Sequence, residues 1–395
     1  METITRTLYR AQAVNAVGDG AFYVTSAVAF TRLFGFTPVQ IGLALTLAWG
    51  VGFVLTAPLG ALADRLGVRE VAVGLSVATA VMVGLLATGW VFPAALTGYA
   101  VAQSGLYAVR QAMTAALVPA EQRTVVRARM QALANGGISV GAGIGGVALT
   151  LDTAAAYTAV FALDAVGFLI AAGLLARLPK VTSTRPVHAP RAAVLRDRPY
   201  LAATALNAVL TLSLPLLSVG LPLFIAQRTQ AFEWSIAALF VLNTAGVLLL
   251  QVRAARRVTD LTSAAKSVRW AGWALLVSCL VFPLAALPGN PAVAFAVLAA
   301  GAVVQVLAEV RLAAGSWEIG FAMADPSSPG QWQGVYGSGL AVARCVGPTT
   351  LVFLLLTWSG PGWLVLGGIF LAAALGLAAV ARGSAAPTSR AALPV

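Results

Sequence analysis

The sequence predicts an all-α membrane protein: twelve transmembrane helices in two pseudo-symmetric six-helix halves. Three observations carry that prediction. The chain is 59% hydrophobic and only 10% charged, with a mean hydropathy of +0.89. A soluble domain needs roughly 25% charged residues to cover itself in water, so the composition places the chain in a bilayer. Val71–Val109 and Trp270–Ala308 are each 39 residues without a charge. A single helix of that length would run about 58 Å, nearly twice a ~30 Å hydrocarbon core. Each run is therefore a helical hairpin, turning at Gly89, Trp90 and Pro93 in the first and at Pro288–Pro291 in the second. The runs begin 199 residues apart, half the chain, as a duplicated plan requires.

The spans follow in order at 8–33, 39–63, 70–91, 94–118, 128–151 and 154–177, then 199–226, 234–251, 269–287, 292–322, 333–357 and 362–381. The halves are residues 1–177 and 199–395. Residues 178–198, LPKVTSTRPVHAPRAAVLRDR, form a Pro- and Arg-rich linker that holds the one histidine, His188. Of 25 Lys and Arg, 20 fall on one side when the N-terminus is cytoplasmic; only Arg32 and Arg228 fall opposite. That asymmetry predicts cytoplasmic termini. It also accounts for the +12 net charge, through topology and anionic lipid rather than nucleic acid. No cleavable signal peptide is apparent, because the first apolar segment is too long and carries Asp19.

Several chemistries have no residues to carry them. No G-x-x-x-x-G-K-[ST] is present, so no phosphate-binding loop drives the chain with ATP. Cys279 and Cys345 fall inside spans and make neither a disulfide framework nor a zinc site. No metal-ligand spacing or serine-hydrolase elbow appears. We therefore expect no enzyme, no cofactor and no metal, and a polytopic bundle with no engine points to secondary transport.

Charges inside the spans then become informative, since each costs roughly 2.5–3.5 kcal/mol or more to bury in lipid. They are Asp19, Arg110, Asp164, Glu309, Arg311, Glu318 and Arg344. From the nearest cytoplasmic end, Asp19 and Arg344 lie about 17 Å deep, Glu309 about 20 Å and Arg110 about 12 Å. Polar residues recur with them at helical spacing. The first helix has Gln12, Asn15, Asp19 and Tyr23; the fourth has Gln103, Tyr107 and Arg110; the seventh has Asn207 and Ser218; the tenth has Gln305, Glu309 and Ser316. Four such stripes suit one central cavity, with interhelical hydrogen bonding as the plainer alternative. Asp164 sits among Phe161, Val166, Phe168 and Leu169 and reads as a packed position.

One charged loop is more specific. Residues 60–70, GALADRLGVRE, separate two apolar runs. They resemble the loop motif of the major facilitator superfamily, G-x-L-A-D-R-x-G-R-K, at Gly60, Leu62, Ala63, Asp64, Arg65, Gly67 and Arg69, with Val68 in place of a basic residue. The stretch GISVGAGIGG is similar to the helix-five glycine motif of that family's exporters at Gly137, Gly141, Gly145 and Gly146, with Ala142 in place of proline. Glycines at four-residue spacing open a groove for a close-packed partner helix. The family's helix-four arginine is absent, since Val101 stands four residues before Gly105; Arg110 is a turn or more further along.

The resemblance implies a twelve-helix exporter working by proton antiport on a small amphipathic or drug-like molecule. It implies that Asp64 accepts hydrogen bonds from the N-terminus of helix eleven near Gln333, with Arg69 holding Glu121, as a cytoplasmic latch. With His188 in a loop, Asp19 and Glu309 are the expected proton carriers. Arg110 is the expected partner of Asp19, and Arg344 of Glu309. Asn15, Tyr23, Tyr107, Asn207 and Gln305 are the expected cavity residues. Expected partners are the substrate, protons and the lipid bilayer, with no nucleic acid and a monomeric chain. Two lysines against 23 arginines suggest a high-GC bacterium, hence a bacterial inner membrane. A proton-coupled importer, or a lipid-translocating protein without a coupled cycle, are the alternatives.

Overall fold

The structure is a computed structural model that describes residues 2–89, 91–180, 193–232, 234–287 and 289–385, without the side chains of Pro38, Val39, Ala193, Ser218, Val219, Ala341, Arg344 and Pro348. The turn positions Trp90 and Pro288, and the linker residue His188, therefore lie outside the described residues. Fourteen α-helices of eight residues or more make up most of the described chain. They are α1 Glu2–Phe34, α2 Pro38–Leu66, α3 Val68–Leu86, α4 Phe92–Leu117, α5 Ala120–Leu151 and α6 Ala154–Ala176. Then come α7 Arg198–Thr211, α8 Leu221–Arg228, α9 Ser235–Ala255, α10 Leu261–Val281, α11 Pro291–Ala322, α12 Pro329–Gly337, α13 Gly339–Val352 and α14 Gly360–Ala385. The expected seventh span is broken into α7 and α8 by the short helix Ser213–Pro215 and a π-helical turn, Leu216–Gly220. The expected eleventh becomes α12 and α13, followed by a second π turn at Phe353–Thr357.

Local chemistry sets the ends. Thr37 and Gln40 form a capping box at the start of α2. Asn290 caps α11 through the amides of Ala292 and Val293, with Pro291 at the first helical position. Gly67, at φ 102°, makes the one-residue corner between α2 and α3 that a side chain would resist.

Among the described residues, eight helical segments are long and apolar enough to cross a membrane. Both α1 and α4, which carry polar stripes, fall outside that set. Side chains on the apolar helices face outward in numbers no water-soluble surface tolerates: Leu47 is 70% exposed and Val241 68%. Inside the bilayer every backbone group must be bonded within the chain, which all-helical structure satisfies.

The helices divide into two compact units: Met1–Pro190 with Asp325–Cys345, and Arg191–Ala324 with Val346–Val395. In the first, α1 packs on α5 and α6, α2 on α4, and α3 on α4 and α6. Its aromatic core includes Phe22 edge-on to Phe161 and Phe30 edge-on to Phe92. In the second, α10 packs on α11 and α14, α9 on α11 and α7 on α14. Trp363 is fully buried there against Phe224 and Phe282. The division differs from halves at 1–177 and 199–395 in one respect: residues 325–345 pack with the first unit. The cause is α12, which lies against α2 and α4.

Candidate functional site

Asp19 is the hub of the first unit. It is 8% exposed and sits between Gly18 and Gly20 on α1. Asn15, one turn away, donates from Nδ2 to Asp19 Oδ2 at 2.7 Å. Gln103 reaches from α4 to Asp19 Oδ1 at 3.1 Å and also contacts the Tyr99 hydroxyl at 3.2 Å. The first and fourth stripes therefore meet. Arg110, the expected charge partner of Asp19, lies within its electrostatic reach, while its guanidinium donates to Gln12 Oε1 at 3.1 Å. Asp19 already takes the amides of Asn15 and Gln103, and Gln12 lies nearly two turns along α1 toward Arg110. A second guanidinium, Arg127 on α5, lies over the Tyr107 ring at 5.3 Å, and Tyr107 is half-buried. Tyr23 is 44% exposed.

Asp64 lies at the end of α2, 5% exposed. Its Oδ1 accepts the Gly330 amide at 2.7 Å and its Oδ2 the Gln331 amide at 2.8 Å. These are amides left unbonded by the first turn of α12, where the helix dipole favours a negative charge. The helix starts at Pro329, four residues before Gln333. The helices approach closely because a Cβ on Gly60 or on Gly330 would strike the other's carbonyl oxygen. Arg69 does not hold Glu121, contrary to expectation. Its guanidinium is occupied by Glu70 at 2.9 Å and by the carbonyls of Ala176 and Leu178 at the end of α6. Glu121 and Arg65 are exposed.

The glycines of α5 face α1. A Cβ on Gly137 would come within 2.7 Å of Ala16 Cβ, and one on Gly145 within 2.9 Å of the Ala21 carbonyl. One on Gly141 would collide with the Val17 carbonyl. Gly20 answers from α1, its Cβ position already filled by the Ile138 carbonyl. Gly146 is not part of this seam: nothing lies within 4 Å of its Cβ position, because it sits about 100° round the helix from Gly145.

The second unit has its own cluster. Asn243 on α9 donates to Glu309 Oε2 at 2.8 Å. The Ser316 hydroxyl donates to Asn207 Oδ1, joining α11 to α7. Gln305 donates to the Ser213 carbonyl at 3.4 Å, beside the break between α7 and α8. The side chain of Arg344, the expected partner of Glu309, lies outside the described residues, as does that of Ser218.

Two residues are not singled out by the sequence, and a third has a feature that the sequence hides. Asn243 lies in the apolar run VLNTAG, and a lone amide there is itself a signal. By sequence Arg127 belongs with the basic residues of the cytoplasmic loop after the fourth span, yet α5 begins at Ala120 and places it two turns inside the helix, 6% exposed. Asp164 is fully buried, as its apolar neighbours suggest, but neither of its carboxyl oxygens has a hydrogen-bond partner. Among the described residues no group of three or more His, Cys, Asp or Glu is placed to hold a metal.

A family model described as the Major Facilitator Superfamily matches residues 8–348. No match was found among curated protein sequences. Solved structures share the fold. A bacterial homologue of the iron transporter ferroportin, in an outward-facing state, gives a TM-score of 0.75 at 18% identity, covering 97% of this chain and 99% of that one. The human organic anion transporter TETRAN gives 0.70 at 17%, covering 95% and 99%. The E. coli fucose:proton symporter gives 0.70 at 12%, covering 96% and 98%.

Proposed function

This chain belongs to the major facilitator superfamily, and from that premise we propose that it exports a small amphipathic or drug-like molecule across a bacterial inner membrane by proton antiport. It is a membrane transporter of the secondary type, with no sequence motif for ATP. The observation that carries the finer reading is the Asp19 cluster. A carboxylate deep in α1, held by the amides of Asn15 and Gln103, is placed to take either a proton or a polar group of a substrate. Competition between the two at one carboxylate is antiport. Asp64 on the amides of α12 supports a latch that forms and releases during the cycle, and the α1–α5 glycine seam supports close packing on the exporters' pattern.

Proteoliposomes with an imposed pH gradient test the reading. Movement of a substrate panel against the proton flow is expected, and movement that ignores the gradient would overturn it. One observation favours a second reading, proton-coupled import. Arg110 Nη2 is buried with no acceptor among the described residues, and it suits an anionic substrate. An anion near Asp19 binds better when Asp19 carries its proton, which couples the two in the same direction. Flow of an organic anion along with the protons would select that reading.

A further inference from the structure

Asp164 stands near the middle of α6, ten residues from Ala154 and twelve from Ala176, so it is about 15 Å from one end of the helix and about 18 Å from the other. It is 0% exposed, and both carboxyl oxygens are buried without a hydrogen bond. Its position is fixed by the backbone of α1. A Cβ on Gly18 would stand 2.6 Å from Asp164 Oδ1 and 2.7 Å from its Cα. One turn away, a Cβ on Gly167 would meet the Val14 carbonyl at 3.4 Å and Asn15 Cα at 3.9 Å. The helices thus run antiparallel in close contact, and Asn15 and Gly18 lie on the one face of α1 that meets α6. On that face Asn15 Oδ1 is also buried without a donor, because Asn15 spends its Nδ2 on Asp19.

An ionised carboxylate with no donor in such a place is destabilising by several kcal/mol. A buried orphan of this kind needs an explanation, and an acid at mid-membrane depth is by default a functional group. The ligand that relieves it must be positive and must need almost no room, because Oδ1 already abuts the α1 backbone. A proton satisfies both conditions; a sodium ion would need about five or six oxygens around it. The carboxylic acid also supplies a donor where the buried oxygens have none.

We propose that Asp164 is a second proton-binding site of the transport cycle, paired across Gly18 with Asp19. The pairing is electrostatic: Asp19 from α1 acts on Asp164, and Asp164 acts in turn on Tyr99 from α4. Among the polar residues of α3, which also packs on α6, Ser76 and Thr79 are bonded back to their own helix and carry no charge. Arg69 and Glu70 engage each other and the far end of α6. Asp19 is the member with slight exposure, so the proton of Asp164 enters and leaves by way of Asp19 or by parting of α1 from α6. No bond other than O–H changes. This rests on the reading of Asp19 as the proton carrier and extends it to two protons held per cycle.

The test is pH-difference infrared spectroscopy on the full chain reconstituted in lipid, reading the carbonyl stretch of protonated carboxyls, with no substrate needed. Titrating bands from both Asp19 and Asp164 are expected in the wild type. Asp164→Asn should remove one and displace the midpoint of the other; Asp19→Asn should do the reverse. Identical spectra from wild type and Asp164→Asn would overturn the proposal. If Asp164→Asn does not fold, Asp19→Asn alone decides: the remaining band must move its midpoint, and an unmoved band overturns the pairing. Exchange of potassium for sodium should leave the bands in place, and a sodium-specific loss would replace the proton by that ion. The two readings fail separately. A wild-type spectrum from Asp19→Asn removes the Asp19 reading, whereas one from Asp164→Asn removes only this one.

Discussion

Asp19 and Glu309 are both carboxylates set deep in long helices, one in each compact unit, and the groups around them differ. Around Asp19 the first unit gathers Asn15, Gln103, Gln12, Arg110 and the orphan Asp164, drawn from α1, α4 and α6. Around Glu309 the second unit supplies, among the described residues, the amide of Asn243, with the neutral pairs Ser316–Asn207 and Gln305–Ser213 nearby on α11. Duplication of the helical plan has not duplicated its chemistry. The first unit holds interacting charges, whose energies depend steeply on protonation in a low-dielectric interior. The second holds hydrogen bonds that a proton changes little. On the proposed antiport, that contrast favours coupling to the gradient through the first unit and a polar lining for substrate in the second.

The largest effect should come from Asp19→Asn. The amide keeps the shape and one acceptor for Asn15 or Gln103, but it cannot ionise. Gradient-driven transport in proteoliposomes should fall to the level of protein-free vesicles, while thermal stability in detergent stays within a few degrees. Wild-type coupling in this variant would break the comparison by moving the proton site out of the first cluster.

Asp64→Asn should have an intermediate effect. A carboxylate that accepts two backbone amides at a helix N-terminus is replaced by a side chain with one acceptor oxygen and no charge. A hydrogen bond to a charged group contributes roughly 1.5–3 kcal/mol, so the latched state should lose about tenfold or more in population. The transport rate should fall accordingly while substrate binding, read by thermal shift, survives. Gly60→Ala should match it, since its Cβ forces α2 away from the Gly330 carbonyl. A rate equal to wild type in both variants would make Asp64 a helix cap without a role in the cycle.

How much of this the sequence could reveal depended on whether the governing interaction was local. Helix faces were legible, because periodicity within one helix places Gln12, Asn15 and Asp19 together whatever surrounds them. The low hydropathy of α1 and α4 beside their greasy neighbours is the same signal. Partners across helices were less legible. Arg69 can swing to several groups, and only the position of the α6 C-terminus decides for Ala176 and Leu178 over Glu121. Gly146 fits a motif by spelling, but one residue of rotation takes it off the seam. Burial of Asp164 followed from its neighbours; its lack of donors did not, because a missing partner is a property of α1 and α6 together. The breaks in the seventh and eleventh spans were hidden too. Pro215 is visible, yet proline alone does not announce a π turn.

Glu309→Gln sharpens the comparison with the smallest effect. Glu309 is partly buried on α11, and Asn243 donates to it at 2.8 Å. A glutamine at that place presents its own carbonyl oxygen to the same Asn243 amide, so the α9–α11 bond survives. What is lost is the charge, and a neutral hydrogen bond differs from a charge-assisted one by about 1 kcal/mol. That corresponds to a transport change of at most about fivefold, with the dependence on the pH gradient retained. Glu309→Ala is the informative contrast, because it strands the Asn243 amide and should lower thermal stability as well as rate. Should Glu309→Gln instead abolish gradient dependence while Asp19→Asn leaves it intact, the assignment of the two units is inverted. The carboxylate with fewer neighbours would then be the coupling site, and the network around Asp19 would serve to hold α1 and α4 in register.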